Sequence, residues 1–367
     1  MTESHILSLN PVIFSNEDYR IMLSQPGSTG NQVRQACRKN QFTDHTSGLA
    51  SGYAQANVVI LPAQYAYDFL LFCVRNPKPC PLLEVTDIGN PYLKTMIKPN
   101  TNDNQLQQYE GNGGDLRTDI PKYVILRNGQ KEIVNDIQSL WSIPSTISSL
   151  SSSSSSSSTI DPDQRSDWVG FLLGCSFSFE EALLQAHIPI RHLQQNKYEE
   201  IEDINIQSST NTSNITYITP EILRERAQQS IIVSQPRNVP MYKTNIPNQT
   251  AGIMKGNLVV SMRPMTIEQA EEASKITSLY PRVHGKPVHI GDPSIIGIQN
   301  IHKPDYGDNV TILSNEIPVF WACGVTPLAA LLETNIPIAI THAPGHMLVL
   351  DILNKDLTKE NEIIIQK

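Results

Sequence analysis

The last third of the chain alternates between short apolar runs and helical segments, and this constrains the fold more than any other feature. Residues 258–262 (LVVSM) read as a strand. Thr266 then offers a hydroxyl cap for a helix over 266–278, with Glu268, Glu271 and Glu272 on its polar side. Residues 287–290 and 318–322 read as strands, 326–334 as a helix, and 336–341 and 347–352 as strands. Such alternation predicts a layered, mixed α/β architecture, because each amphipathic helix needs a sheet face to cover.

The first third carries the same signals less regularly. Residues 17–39 have helical spacing, and 46–56 (TSGLASGYAQA) are small and glycine-rich, where backbone can approach a ligand closely. A short buried strand is expected at 57–61, then Pro62 at the start of a helix over 63–75. The proline-rich stretch 76–81 stops that helix, and 82–86 returns to strand. Residues 99–114 read as loop. Asn128-Gly129 between apolar runs predicts a hairpin of 121–127 with 130–134.

The middle differs. Residues 151–158 are eight consecutive serines within a polar stretch, 145–166, and a second polar stretch covers 203–216. Neither can bury enough apolar area to offset its ordering entropy, so both read as disordered insertions, with a short helix expected at 219–229. The expected organisation is a discontinuous main α/β domain, 1–130 and 256–367. A smaller two-layer α/β lobe, 131–255, is inserted in it.

Charge and cysteine usage exclude several classes. The 367 residues carry a net charge of −8, and no Lys/Arg cluster interleaves with aromatics, so a nucleic-acid partner is not expected. Five cysteines with no CxxC pair do not make a disulfide framework or a structural zinc site. The first twenty residues lack a basic region followed by an apolar run, and no apolar stretch reaches the ~18 residues needed to span a bilayer. The expectation is an intracellular, cytoplasmic protein with no membrane partner; a homo-oligomer is compatible with the sequence. GxGxxG after a strand, GxxxxGK[ST], HExxH and GxSxG are all absent.

Candidate chemistry gathers where strands meet polar turns. One strand runs into Arg263-Pro264, another into Cys323-Gly324-Val325-Thr326. Ligands bind in α/β folds where strands end and helices begin, and a helix start offers backbone N–H groups to a carboxylate. Gly324 and Thr326 are therefore substrate-binding candidates. Arg263 is a candidate bidentate clamp, with a structural ion pair as its competing role. Cys323 and Cys175 are candidate nucleophiles, although a free cysteine is more often a small buried hydrophobe. Glu180 is either a general acid or base or a charge at a helix N-terminus. His284, His289 and Asp292 lie in a Gly/Pro-rich loop and could move protons, or else hydrogen-bond turns. His342 and His346 are four apart, but Pro344 and Gly345 between them exclude a helical metal motif, which leaves a loop metal site or hydrogen-bonded turn histidines as the readings. No cofactor is expected, and a divalent metal has no motif support.

Several of these segments together resemble the D-glutamate cyclase family. They are 46–86, DLRTDIPKY at 115–123, GCSFSFEEALLQA at 174–186, Ile190-Arg191-His192, VPMYKTN at 239–245 and GNLVVSMRP at 256–264. VHGKPVHIGDP at 283–293, PDYGD at 304–308, PVFWACGVTP at 318–327 and THAPGHM at 341–347 continue the series. Leu328 stands where a polar residue would be expected. The resemblance implies a two-part α/β fold and a hydro-lyase that closes D-glutamate to 5-oxo-D-proline with loss of water, and it adds the mitochondrial matrix as an alternative address. Ring closure needs a held α-carboxylate, a deprotonated amine, a neutralised γ-carboxyl and a protonated leaving oxygen. The expected assignment has Arg263, with Arg117 or Arg191, binding the dicarboxylate beside His284. Backbone at Gly324 to Thr326 would stabilise the oxyanion. His289 with Asp292 would transfer protons, and Glu180 or Cys323 would be the second proton group. The alternatives are dehydration of another small hydroxy or amino acid, and carboxylate binding without turnover.

Overall fold

A computed structural model describes residues 14–97, 113–142, 164–193, 238–334 and 336–358. The serine run, the 203–216 stretch and the expected helix at 219–229 lie outside the described residues.

The central strand is β1, Tyr53–Pro62, buried at every position after the first. Side chains alternate across a strand, so β1 serves two cores. Ala54, Ala56, Val58 and Ile60 face one, and Val59 and Leu61 face the other. The helix α3, Ala63–Arg75, follows directly, and β2, Leu82–Val85, returns to the sheet. The hairpin β3, Tyr123–Arg127, and β4, Gln130–Val134, forms as expected, with Asn128 and Gly129 both at positive φ. β5, Trp168–Gly174, lies antiparallel to β1, in register from Ala56 opposite Gly174 to Pro62 opposite Trp168.

The other edge of β1 is shared. β10, Ile338–His342, pairs with Val59 and Ile60, whereas β11, Leu348–Leu353, pairs with Tyr53, Gln55 and Ala56. The turn 343–347 therefore interrupts what would otherwise be one long strand. The first sheet runs β2-β5-β1-β10-β3-β4, with β11 also on β1.

A second antiparallel sheet, β6-β7-β9-β8, comprises Met241–Pro247, Asn257–Met265, His289–Ile290 and Ile317–Ala322 numbered in chain order. The second sheet is drawn from residues 241–322. Helices α4, Phe177–Gln185, and α5, Ile267–Ser278, pack on each other beside it. One apolar cluster joins Met265, Val319 and Trp321 of the second sheet to Val58 and Ile60 of the first, so the two sheets share a core. α6, Val325–Thr334, covers the far face of the first sheet through Ala330 and Leu331.

The helix starts follow their caps. Thr266 and Gln269 form a reciprocal capping box on α5. The single helix expected over 17–39 is two, α1, Asn16–Leu23, and α2, Gly30–Arg38. Pro26 and Gly27, the latter at φ +91°, break the first, and Thr29 caps the second with Gln32. Among the described residues no helix is long and apolar enough to cross a membrane.

Candidate active site between the two sheets

Two turns of the same design meet at one cavity. β5 ends at Gly174, Cys175 and Ser176 follow, and α4 begins at Phe177. β9 ends at Ala322, Cys323 and Gly324 follow, and α6 begins at Val325. Each cysteine thus stands between a strand of one sheet and the N-terminus of a helix. Both line a cavity of ≈ 60 Å³, together with Asn57, Gly324, His342 and Met241. Phe177 forms a wall of this cavity and of a larger neighbour of ≈ 210 Å³ that reaches Gln55, Ser178, Glu180 and Glu181.

The approach of the two units is close. A Cβ at Gly324 would stand 2.2 Å from Asn57 Nδ2, and that amide donates to Gly174 O at 2.9 Å. Asn57 therefore ties the end of β5 to the middle of β1 while α6 starts against it. Across the shared edge of β1, His342 takes the place of a ladder partner: Val58 N–H donates to its Nδ1 at 3.1 Å. The ring is neutral at physiological pH, because burial pushes its pKa down to about 4. The same Nδ1 lies 3.4 Å from Val58 O.

Both thiols are protonated at neutral pH. Burial drives Cys175 up to about 12 and Cys323 up to about 11. The backbone N–H groups of Phe177 and Val325, at the helix starts, pull in the opposite direction by bonding the sulfur, but burial prevails. Cys323 Sγ also contacts Met241 Sδ at 3.3 Å.

Beside these cysteines lies a buried ion pair. Arg263 has no exposed surface, and its guanidinium is flanked by the rings of Phe179, 5.1 Å from its centroid, and Trp321, at 5.5 Å. Its Nε donates to Glu180 Oε1 at 3.0 Å, its Nη2 donates to the same oxygen and its Nη1 donates to Ser261 Oγ at 3.0 Å. His192 Nε2 stands 3.6 Å from Glu180 Oε1. Burial alone would raise the Glu180 pKa, but Arg263 and His192 outweigh it and hold the group at about 2. Glu180 is therefore an anion at neutral pH, and Arg263 spends its fork on it.

The register of the second sheet sorts the remaining candidates. Arg263 is opposite Val319 and Ser261 is opposite Trp321, whereas Met262 and His289 are each opposite Phe320. Directly opposed residues share a face. Ser261 and Arg263 thus share one face, which β9 continues toward Cys323, and His289 is on the other. Its Nε2 is 2.7 Å from the backbone oxygen of Asp292, and the Asp292 carboxylate is turned to Ser294 N–H as a cap.

Arg117 is held by Asp115 and by Tyr92 Oη at 3.1 Å, and Arg191 by Glu316. Thr326 Oγ1 accepts from Val259 N–H at 3.0 Å and donates to Val259 O at 3.1 Å, fastening α6 to β7. His284 is fully buried at φ +84°, with Nδ1 2.7 Å from Lys78 O, Nε2 unpartnered and its pKa pushed down to about 4 by burial. The structure therefore gathers Cys323, Gly324, Glu180 and Arg263 in one region, sets His289 and Asp292 on the other face of the second sheet, and engages Arg117 and Arg191 in ion pairs of their own. Sequence reasoning left Asn57 and His342 out of the site. A buried amide at the head of the apolar run 57–61 was the available signal for Asn57.

The fold and cavity define a two-sheet α/β protein with a thiol-lined chamber at paired strand-to-helix turns. The chain belongs to the D-glutamate cyclase family, whose model matches residues 169–213 and 212–351. It is 42% identical over 332 residues to a protein of Staphylococcus haemolyticus named "putative hydro-lyase", covering 90% of this chain and 97% of that one. A Geobacillus kaustophilus protein of the same name is 42% identical over 90% of this chain and 96% of its own length. One from Thermoanaerobacter sp. is 42% identical over 89% and 95%. These matches support a lyase of the hydro-lyase class.

Proposed function

We propose that the chain closes D-glutamate to 5-oxo-D-proline, expelling one water, at the cavity between Cys175 and Cys323. The observation that carries this reading is the meeting of two strand–cysteine–helix turns, one from each sheet, at a single cavity. The family's name supplies the substrate class.

The reaction requires the ammonium to shed a proton and the freed amine to attack the γ-carboxyl carbon, a C–N bond to form and a C–O bond to break, the two protons lost by nitrogen leaving with that oxygen as water. A carboxylate resists attack, so the γ-carboxyl must be protonated or hydrogen-bonded by an acid. Cys175 and Cys323 keep their protons at neutral pH and stand at the helix starts, where they can hydrogen-bond that carboxyl or protonate the departing oxygen. His342, neutral because it is buried, also lines the cavity. The Gly324 and Val325 backbone borders the cavity at the start of α6, and a donor well placed on the developing oxyanion is worth roughly 3–4 kcal/mol.

Glu180 neutralises Arg263, so carboxylate recognition falls to the helix N-termini at Phe177 and Val325, whose partial positive charge favours an anion. The Arg263–Glu180 pair then serves to fix α4, and with it Cys175, against the second sheet. The ≈ 210 Å³ space beyond Phe177 offers room for the rest of the substrate.

The test is incubation of the purified chain with D-glutamate and, separately, L-glutamate, followed by chiral chromatography with mass detection. Formation of 5-oxo-D-proline above the spontaneous rate is expected. A product with a C=C bond from another acid, or thermal stabilisation by D-glutamate without turnover, would replace this reading.

A further inference from the structure

We propose that Asp44, His45 and His346 form a binding site for one divalent transition-metal ion. This goes beyond the cyclase reading and does not depend on it. A carboxylate oxygen of Asp44 and a ring nitrogen of each histidine lie within 4.8 Å of one another, so a modest inward rotation of these side chains would bring them round one ion at bonds of about 2.0–2.2 Å.

Three independent features point to a ligand there. First, His346 is 94% buried, being 6% exposed, and its Nε2 has no hydrogen-bond partner. A buried, unpartnered polar atom needs an explanation. Second, the other nitrogen of the same ring, Nδ1, is 2.8 Å from Pro344 O. A carbonyl there takes the Nδ1 proton and leaves the Nε2 lone pair free, the arrangement that orients a metal-binding imidazole. Third, the His45 and His346 rings lie 4.5 Å apart between centroids, and a Cβ at Gly345 would stand 2.4 Å from His45 Nδ1. Glycine at 345 is what lets the His45 ring settle over the turn beside His346.

The remaining contacts restrict the kind of ion. Arg20 Nη2 donates to Asp44 Oδ2 at 2.9 Å, and the His45 backbone N–H donates to Asp44 Oδ1 at 2.8 Å. These bonds orient the carboxylate, and Arg20 offsets its charge. A hard cation held mainly by negative charge, such as Ca²⁺ or Mg²⁺, is therefore disfavoured. Two imidazole nitrogens and one carboxylate oxygen suit Zn²⁺, Co²⁺ or Fe²⁺ with coordination positions left open. The ion would clip the 44–46 segment to the 343–347 turn. That turn supplies Pro344, Gly345 and Met347 to the cysteine-lined cavity, so the clip would hold one of its walls.

The experiment is titration of the metal-stripped full chain with Co²⁺ alone, read by visible ligand-field absorption, with equilibrium dialysis against Zn²⁺ for stoichiometry. The wild type is expected to take up one ion per chain, to develop the absorption band, and to melt at a higher temperature with metal than without. His45→Gln, which alters a half-buried residue, and His346→Gln are each expected to lose the band and the metal-dependent melting shift. Should His346→Gln fail to fold, His45→Gln and Asp44→Asn carry the test. Absence of uptake by the wild type at about 100 µM metal, roughly a −5.5 kcal/mol affinity limit, would overturn the proposal. So would an unchanged band and stoichiometry in the His45→Gln protein.

Discussion

Arg263 and Glu180 are bound side chain to side chain in the interior, with Nε 3.0 Å from Oε1 and no part of the arginine exposed. Removing one member of such a pair leaves a buried charge without compensation, which costs about 3–5 kcal/mol. Glu180→Ala is therefore expected to lower the urea midpoint sharply. Glu180→Gln, which retains an oxygen acceptor for Arg263, should lose less. Equilibrium denaturation of the two variants checks the order; equal losses would show that charge, rather than hydrogen bonding, holds the contact.

Acid should destabilise the fold in two stages. His284 and His342 are buried, and burial depresses both to about 4 from an ordinary 6.5. The unfolded chain binds protons at higher pH than the native one, so their contribution is complete above pH 6.5 and is lost as pH falls toward 4. Glu180 is depressed from 4.5 to about 2 by Arg263 and His192 despite burial. Its contribution is complete above 4.5 and is lost as pH falls from there toward 2. Urea unfolding at steps from pH 7.5 to 3.5 should show stability falling through the first window before the second begins. His342→Gln should flatten the first stage.

Most of the elements were legible because their signals are local. The 63–75 helix, the Asn128–Gly129 hairpin and the Thr266 cap appear where residue spacing and turn chemistry place them. Which strands pair is not a local property. The sequence does not reveal that β10 and β11 share one edge of β1, because that depends on a 343–347 interruption matched to a strand nearly 300 residues earlier. The site follows the same rule. Cys323-Gly324 could be placed at a strand-to-helix turn from its flanking residues alone. The pairing of Arg263 with Glu180 and the face occupied by His289 required the register.

That register makes His289 a discriminating variant. Its ring packs on Phe320, on the sheet face opposite Arg263, and its Nε2 meets a backbone oxygen. His289→Ala is expected to leave D-glutamate cyclisation within about twofold of wild type, since a general acid or base would contribute on the order of 100-fold or more. A fall of that size would return His289 to the chemistry and displace the cavity proposed above.

The two thiols can be separated from a packing role by chemistry. Burial raises both pKa values, so neither should react readily with iodoacetamide at pH 8 in the folded chain, and both should react after denaturation. Cys323→Ala and Cys175→Ala remove an acid and are expected to lower kcat by roughly 100- to 10,000-fold with little change in melting temperature. Cys→Ser at either position keeps a donor and should retain more activity than Cys→Ala. Full activity in both alanine variants would exclude the thiols as proton donors.

Gly324 should be intolerant of any side chain because of Asn57. A methyl group at 324 would stand 2.2 Å from the Asn57 amide, which is itself tied to Gly174 O. Something must move, and overpacking of this kind costs about 1–3 kcal/mol. Gly324→Ala is expected to lose both stability and cyclisation, since the start of α6 would be pushed away from β1. Asn57→Ala alone should also destabilise, by freeing Gly174 O, but it vacates the space the new methyl needs. The double variant is therefore expected to be more stable than the sum of the two losses predicts, a coupling of about 0.5–3 kcal/mol that a double-mutant cycle measures. Strict additivity would mean that the two residues do not meet, and that the two sheets are not joined at this point.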